Sequence, residues 1–243
     1  MKLKIIGFWG AYPKASQASS CYLISTDTTN VLLDLGSGSL AIMQKYLSLA
    51  DIDAVIISHF HGDHFADAFC LQHAVLMDTQ LGKRSKTLDF YAPLNETYFK
   101  ELNFRDCTKA TAINENSKIQ IGDLSIQFAK TVHPIYGLSM RVKHGDKVLV
   151  YSADTELNED LQKLSQGCDL LLSECSIYKK YEGLIKGHMS GKDVAELASK
   201  GNVKQVVVTH LPNYDDNNEL IKDIKQGFSG KVSLAREGLE FII

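Results

Sequence analysis

The sequence predicts an α/β fold, and within that class a four-layer αββα sandwich of two mixed sheets packed face to face and flanked by helices. Three observations carry this. Short apolar runs alternate with longer helical patterns along the 243 residues. Small polar clusters stand between neighbouring strand runs, as antiparallel hairpins require. One supersecondary order (strand, hairpin, crossover helix, further strand) also occurs twice, in roughly residues 1–115 and 116–243, although the residue identities of the two copies match poorly.

Taken in order, the N-terminal stretch is short, apolar and without a small-residue cleavage site, so it reads as a first strand over 3–8 rather than a leader. Further strands are expected over 21–25, 31–34, 54–58, 88–92, 119–121, 124–131, 138–143, 147–152, 169–173, 205–209 and 239–243, all rich in Val, Ile, Leu or Tyr. Asp27-Thr28-Thr29-Asn30, Gly122-Asp123 and His144-Gly145-Asp146 supply the hairpin turns. Helical patterns run over 39–49, 67–81, 96–102, 159–165, 191–200 and 218–228. Gly167 and Gly201 stand where helix C-caps are expected.

Length and composition bound the rest. At roughly 150 residues per domain the chain holds one large domain or two small ones, and a single α/β domain over 1–243 is the simpler reading. Hydrophobic residues at 44% and charged residues at 23% exclude disordered and low-complexity classes, and 4 prolines leave no proline-rich linker. A formal net charge of −3 gives no general attraction for nucleic acid or anionic membrane. No apolar run approaches the roughly 18 residues of a membrane span. The 5 cysteines (Cys21, Cys70, Cys107, Cys168, Cys175) are odd in number and form no CxxC, which suits free thiols in a reducing cytoplasm. They neighbour apolar residues and read as small hydrophobes.

The sharpest chemical signal is His59-Phe60-His61-Gly62-Asp63-His64. Residues two apart at a strand end project to the same side, so His59 and His61 can grip one ion. Gly62 permits a tight turn, after which Asp63 and His64 can face a second. Imidazole and carboxylate at this density suit zinc, with manganese or iron compatible. A catalytic zinc takes three protein ligands and keeps a position open for water, so more ligands are needed. One context recurs: a buried apolar strand ending in a metal-binding side chain. It supplies His59, His133, Asp154 and His210, and ligand sites in α/β folds gather beyond such strand ends.

With His133, Asp154 and His210 after it, the motif His59-x-His61-x-Asp63-His64 resembles that of the metallo-β-lactamase superfamily of dinuclear metallohydrolases. Val31-Leu-Leu-Asp34-Leu-Gly36 is similar to that superfamily's glycine-bearing aspartate turn. The resemblance implies the metallo-β-lactamase fold and two Zn2+ ions, with Mn2+ or Fe2+ in their place an option. His59, His61 and His133 would hold one ion, Asp63, His64 and His210 the other, and Asp154 would bridge. Asp34 would orient a ligand from behind; otherwise it is a turn aspartate bonding its own backbone. Asp154 stands in a region where true β-lactamases commonly use a cysteine, which argues against antibiotic hydrolysis.

Gly187-His188-Met189-Ser190 precedes a helical pattern in which Ser190 and Asp193 can form a capping box. His188 then lies just outside a helix N-terminus, a place suited to a phosphate oxygen. This arrangement resembles the histidine motif of the tRNA 3′-processing nuclease (ribonuclease Z-like) and phosphodiesterase branch, and implies that His188 stabilises the transition state or protonates the leaving oxygen. Only about twenty residues separate His133 from Asp154, room for a hairpin but not for that branch's long tRNA-binding arm. No Lys/Arg-rich run replaces the arm, so large structured RNA is a doubtful substrate.

The expected protein is thus a cytoplasmic metal-dependent hydrolase. A hydroxide bridging two zinc ions, with Asp63 and His188 as catalytic residues, would attack a phosphodiester in a small nucleotide, cyclic nucleotide or short nucleic acid. The alternative keeps the ions and changes the bond to a carboxylic ester, lactone or thioester. A redox or metal-binding scaffold would need iron and usually further domains, and a non-catalytic nucleic-acid binder is disfavoured by charge. A monomer and a homodimer both fit the sequence, and no membrane partner is expected. Trp9, Tyr12 and Pro13 could line a pocket for a base or acyl group, or Trp9 could belong to the core. Glu174 could support His188, whereas His73 and His144 receive no role.

Overall fold

The computed structural model describes residues 1–243. The first part of the chain runs β1 (Lys2–Gly7), β2 (Cys21–Ser25), β3 (Asn30–Leu33), α1 (Ser39–Met43), β4 (Ala54–Ile56), α2 (Gly62–Phe65), α3 (Ala68–Gln80), β5 (Leu88–Pro93) and β6 (Thr108–Ile113). It continues through β7 (Lys118–Ile121), β8 (Leu124–Lys130), β9 (Leu138–His144), β10 (Lys147–Tyr151), α4 (Glu159–Leu164), β11 (Leu170–Glu174), α5 (Gly191–Lys200), β12 (Gln205–Thr209), α6 (Asn218–Gly227), β13 (Lys231–Leu234) and β14 (Glu240–Ile242).

Two seven-stranded sheets result, in the orders β14-β1-β2-β3-β4-β5-β6 and β13-β12-β11-β10-β9-β8-β7. Both are mixed. In the first, β1, β2 and β3 pair antiparallel and β3 to β6 parallel. The second repeats the scheme, with β7 to β10 antiparallel and β10 to β13 parallel. This is the expected four-layer sandwich. The last strand departs from the division into halves, because β14 returns to pair with β1.

Alternation along the strands of the first sheet produces the layers. Leu3, Ile5, Tyr22, Ile24, Val31, Leu33, Ala54 and Ile56 point inward and join one large core with the second sheet. Their neighbours Cys21, Leu23, Leu32, Val55 and Ile57 point outward and pack with α1 and α3 in a separate cluster. Helices α5 and α6 contribute Val194, Leu197, Leu220 and Ile224 to the larger core. Trp9 is buried there as well, so of the two readings open for it the core is the one realised.

Most element boundaries match the periodicities, and the exceptions have local causes. Strands β6 and β13 were not expected: Thr-Lys-Ala-Thr-Ala-Ile and Lys-Val-Ser-Leu carry few large apolar groups because both lie at sheet edges with faces in solvent. The helix expected over 39–49 stops at Met43, since the chain must turn back into β4 and does so through a 3-10 turn at Leu49–Asp51. Over 96–102 only the turn Lys100–Leu102 forms, with Asn95 Oδ1 instead accepting from the Thr97 and Tyr98 amides. Cys70 is exposed, unlike the other four cysteines, which are buried; all five are free. Gly201 caps α5, but in the right-handed helical region; Gly167 adopts φ +63°, two residues past the α4 cap. No helix is long and apolar enough to cross a membrane.

Candidate metal centre

The strand ends meet along one edge of the sandwich. Beyond β3 lies Asp34, beyond β4 the segment His59 to His64, beyond β8 His133, beyond β10 Asp154, and beyond β12 His210. The chain turns sharply at these points. Asp34 (φ 59°), Ala153 (φ 50°) and His210 (φ 51°) are non-glycine residues in the left-handed region, a conformation that costs roughly 1–2 kcal/mol each. The short helix α2 was not expected from the sequence. It begins at Gly62 and swings Asp63 and His64 inward.

Two groups of donors face each other. His59, His61, His133 and Asp154 form one, and Asp63, His64, Asp154 and His210 the other, with ligand atoms within 4.8 Å of one another in each. His61 Nδ1 stands 3.2 Å from His59 Nε2 and 3.0 Å from His133 Nε2. Zinc–nitrogen bonds of roughly 2.0–2.1 Å in a tetrahedron place ligand atoms about 3.3 Å apart, close to these spacings. Asp154 belongs to both groups. Its Oδ1 lies 3.3 Å from His64 Nε2, and its Oδ2 lies 3.2 Å from His210 Nε2 and 3.8 Å from His59 Nε2. The structure therefore brings together all seven ligand residues expected from the sequence.

Four of the five imidazoles are oriented from behind. The Nδ1–H of His64 donates to Asp34 Oδ2 at 2.7 Å, and that of His133 to the Gly187 carbonyl at 2.9 Å. His59 donates to Ser58 Oγ, which in turn donates to Asp34 Oδ2. His210 donates to Ser176 Oγ, which donates to Glu174 Oε2. Each outer acceptor fixes a tautomer whose unprotonated Nε2 points at the centre, as a metal ligand requires. Asp34 Oδ2 also accepts from the Tyr151 hydroxyl and its Oδ1 from the Ser58 amide, so one buried carboxylate steadies two ligands. Asp34 takes the left-handed conformation of a turn, but its carboxylate bonds Ser58, His64 and Tyr151 and not the backbone of its own turn.

The buried polar atoms complete the fit. His64 Nε2 and Asp154 Oδ1 are shielded from solvent and lack hydrogen-bond partners, a costly state unless an ion takes their lone pairs. Burial holds His59, His61 and His133 below the ordinary imidazole range, so all three stay neutral and ligand-ready. Burial pushes the Asp63 carboxyl up, but His64 and His210 outweigh it and keep it ionised. Burial likewise disfavours charge on His64, yet Asp154, Asp63 and Asp34 together raise its affinity for a proton. In an ion-free site that proton stands where a cation belongs.

His188 lies at the rim, two residues before the Ser190 N-cap of α5, whose capping box with Asp193 is present. Its Nδ1 donates to Glu174 Oε1 at 3.0 Å. Burial alone lowers its pKa, but the Glu174 carboxylate raises it to about 9. Glu174, fully buried, also accepts from the Thr155 amide next to Asp154. Ser58 and Ser176, the two serine links, are the side chains of this framework that sequence reasoning did not single out. A cavity of about 580 Å³ opens over the centre, with Tyr12, Pro13, Ser37, Pro134 and His188 among its lining residues.

Comparison with known proteins follows the same line. Residues 29–211 match the β-lactamase superfamily domain. A probable metallo-hydrolase of Bacillus subtilis, YhfI, is 34% identical over 239 residues, covering 98% of each chain. Its crystal structure superposes with a TM-score of 0.96 over 99% of this chain and 98% of that one. A ribonuclease Z of Picrophilus torridus is 25% identical, over 99% of this chain and 95% of its own length. A diphosphatase of the PhnP family shares the fold, with a TM-score of 0.79 at 15% identity over 100% of this chain and 97% of that one.

Proposed function

Because this chain belongs to the β-lactamase superfamily and is a metallo-hydrolase within it, we propose that it cleaves phosphodiester bonds in a small nucleotide or a short nucleic acid, using two divalent ions, most simply zinc. The observation that carries this reading is the placement of His188: its imidazole lines the cavity over the ligand cluster, and its Nδ1 donates to the buried Glu174 carboxylate at 3.0 Å, which favours the protonated ring. A phosphodiester needs such a group, because its alkoxide leaving group must be protonated as it departs. The likeness to a ribonuclease Z points the same way.

His59, His61 and His133 would hold one ion and Asp63, His64 and His210 the other, with Asp154 within reach of both. Bound there, the pair would supply Lewis acidity and a water of lowered pKa. The chain supplies the rest. Asp63, fixed by the Ala11 amide at 2.7 Å from its Oδ2, offers that oxygen to the proton of the attacking water. His188 delivers its proton to the leaving oxygen, while Glu174 holds the ring in place through Nδ1. The β9–β10 hairpin turns at Gly145-Asp146 with no inserted arm, so substrate contacts are confined to the cavity and favour a short ligand over folded RNA.

The test compares wild type and His188→Ala on substrates with different leaving groups. The variant loses about 10²–10⁴-fold in kcat/KM on a dinucleotide. It loses far less on bis(p-nitrophenyl) phosphate, whose p-nitrophenolate departs without an acid. Wild-type protein that hydrolyses a simple lactone or thioester in preference to every phosphodiester, without regard to His188, overturns the reading and restores the carbonyl alternative.

A further inference from the structure

Beside the metal cavity lies a second, smaller one of about 180 Å³. The two share Ala11, Tyr12, His188 and His210, so the smaller opens directly off the side of the centre where His188 stands. Its remaining wall is built chiefly from Ile177, Ile185, Pro212, Asn213 and Tyr214. We propose that this cavity is the subsite for a nucleoside base, seating the planar ring of the substituent on the His188 side of the phosphorus between Tyr12 and Tyr214. The proposal rests on the phosphodiesterase reading above and adds the place where the nucleoside is held.

Four features select a base. Apart from His188 and His210 no lining residue carries an ionisable group other than a tyrosine phenol, so a second phosphate finds no cation there. The volume suits a single flat ring system and not a further sugar-phosphate unit. Tyr12 and Tyr214 are more than half exposed and both line this cavity, which leaves ring surface open to a planar ligand. The Asn213 amide nitrogen donates to the Tyr12 carbonyl at 3.3 Å, which joins the two loops and leaves Oδ1 to accept from an exocyclic amino group. A base stacked on an aromatic side chain is held without regard to sequence, in keeping with a small or short substrate.

The experiment is calorimetric binding of AMP and ribose 5-phosphate to the zinc-loaded protein, with bis(p-nitrophenyl) phosphate hydrolysis followed in parallel. AMP binds roughly five- to hundredfold more tightly than ribose 5-phosphate, the range expected for one stacked base. Tyr214→Ala erases that advantage and leaves ribose 5-phosphate binding as it was, and Tyr214→Phe retains the advantage. Tyr214 is half exposed and packs on Tyr178 and Tyr181, so unchanged ribose 5-phosphate binding and an unchanged melting temperature show that each variant keeps the fold. Equal affinities in wild type while phosphodiesters are still cleaved overturn the base subsite alone, as does a six-carbon lactone that binds more tightly than AMP. If no phosphodiester is cleaved and neither phosphate binds, the reaction itself is misassigned and the subsite falls with it.

Discussion

Among single residues, Asp34 and Glu174 do for the centre what the ligands cannot do for themselves. Each is a fully buried carboxylate serving two histidines, one directly and one through a serine: Asp34 serves His64 and His59, Glu174 serves His188 and His210. Glu174→Gln removes the charge that keeps His188 protonated, leaving burial to push its pKa down. The protonated form persists below about 9 in wild type and is lost as pH rises through that value. With burial and the Asp154 carboxylate left to oppose each other, the variant should show the alkaline limb of its pH–rate profile displaced downward from near 9. A limb that stays near 9 would remove Glu174 from this role. The ligands were legible in the sequence because histidine and aspartate at strand ends are rare and conspicuous. Ser58 and Ser176 were not, since a serine becomes a link only when two particular side chains lie on either side of it.

For the elements, the instructive segment is 187 to 193, where a loop ends and α5 begins. Gly187 sits at φ +84°, and a Cβ there would come within 2.9 Å of His133 Nδ1 and 2.6 Å of Pro134 Cδ. Gly187→Ala should therefore strain the backbone and shift the carbonyl that orients His133. Both metal affinity and melting temperature should fall. Ser190→Ala removes the N-cap of α5 and should cost about 1 kcal/mol of stability with little change in metal affinity. Parallel metal titrations and denaturant melts separate the two, and equal metal affinity in Gly187→Ala and wild type would contradict the assignment. The capping box could be read in advance because Ser190 and Asp193 are local. The course of β6 and β13 could not, because edge strands such as Thr-Lys-Ala-Thr-Ala-Ile have half their surface in water and little apolar pattern to show.

On the scale of the whole molecule, the centre joins the two sheets. Tyr151 of the second sheet donates to Asp34 of the first, Tyr22 of the first meets Thr209 of the second at 2.8 Å, and the two tyrosine rings lie 4.9 Å apart. Chelation should therefore abolish activity and lower the melting temperature, removing roughly 2.7 kcal/mol of stability per site relative to free ion at 100 times its Kd. Reloading at neutral pH should take up two ions per chain and release protons, because His64 holds one in the empty site. Elemental analysis with proton counting in buffers of different ionisation enthalpy checks both, and one ion per chain would refute the dinuclear reading. The sandwich was visible from the sequence in its doubled supersecondary order; the return of β14 to β1 was not, because a three-residue edge strand has nothing in its composition to name its partner.

The ligand set is divided along the chain in a way that orders events in time. His59, His61, Asp63 and His64 emerge early during synthesis, but each of the two groups lacks its remaining members until His133, Asp154 and His210 have followed. A nascent chain with only its first sheet formed can offer an ion two side chains at each position, a transient grip. Firm capture would need both sheets docked, because each group draws its members from both. A loaded centre would then report docked sheets, though not the placement of α6, β13 and β14, which follow His210.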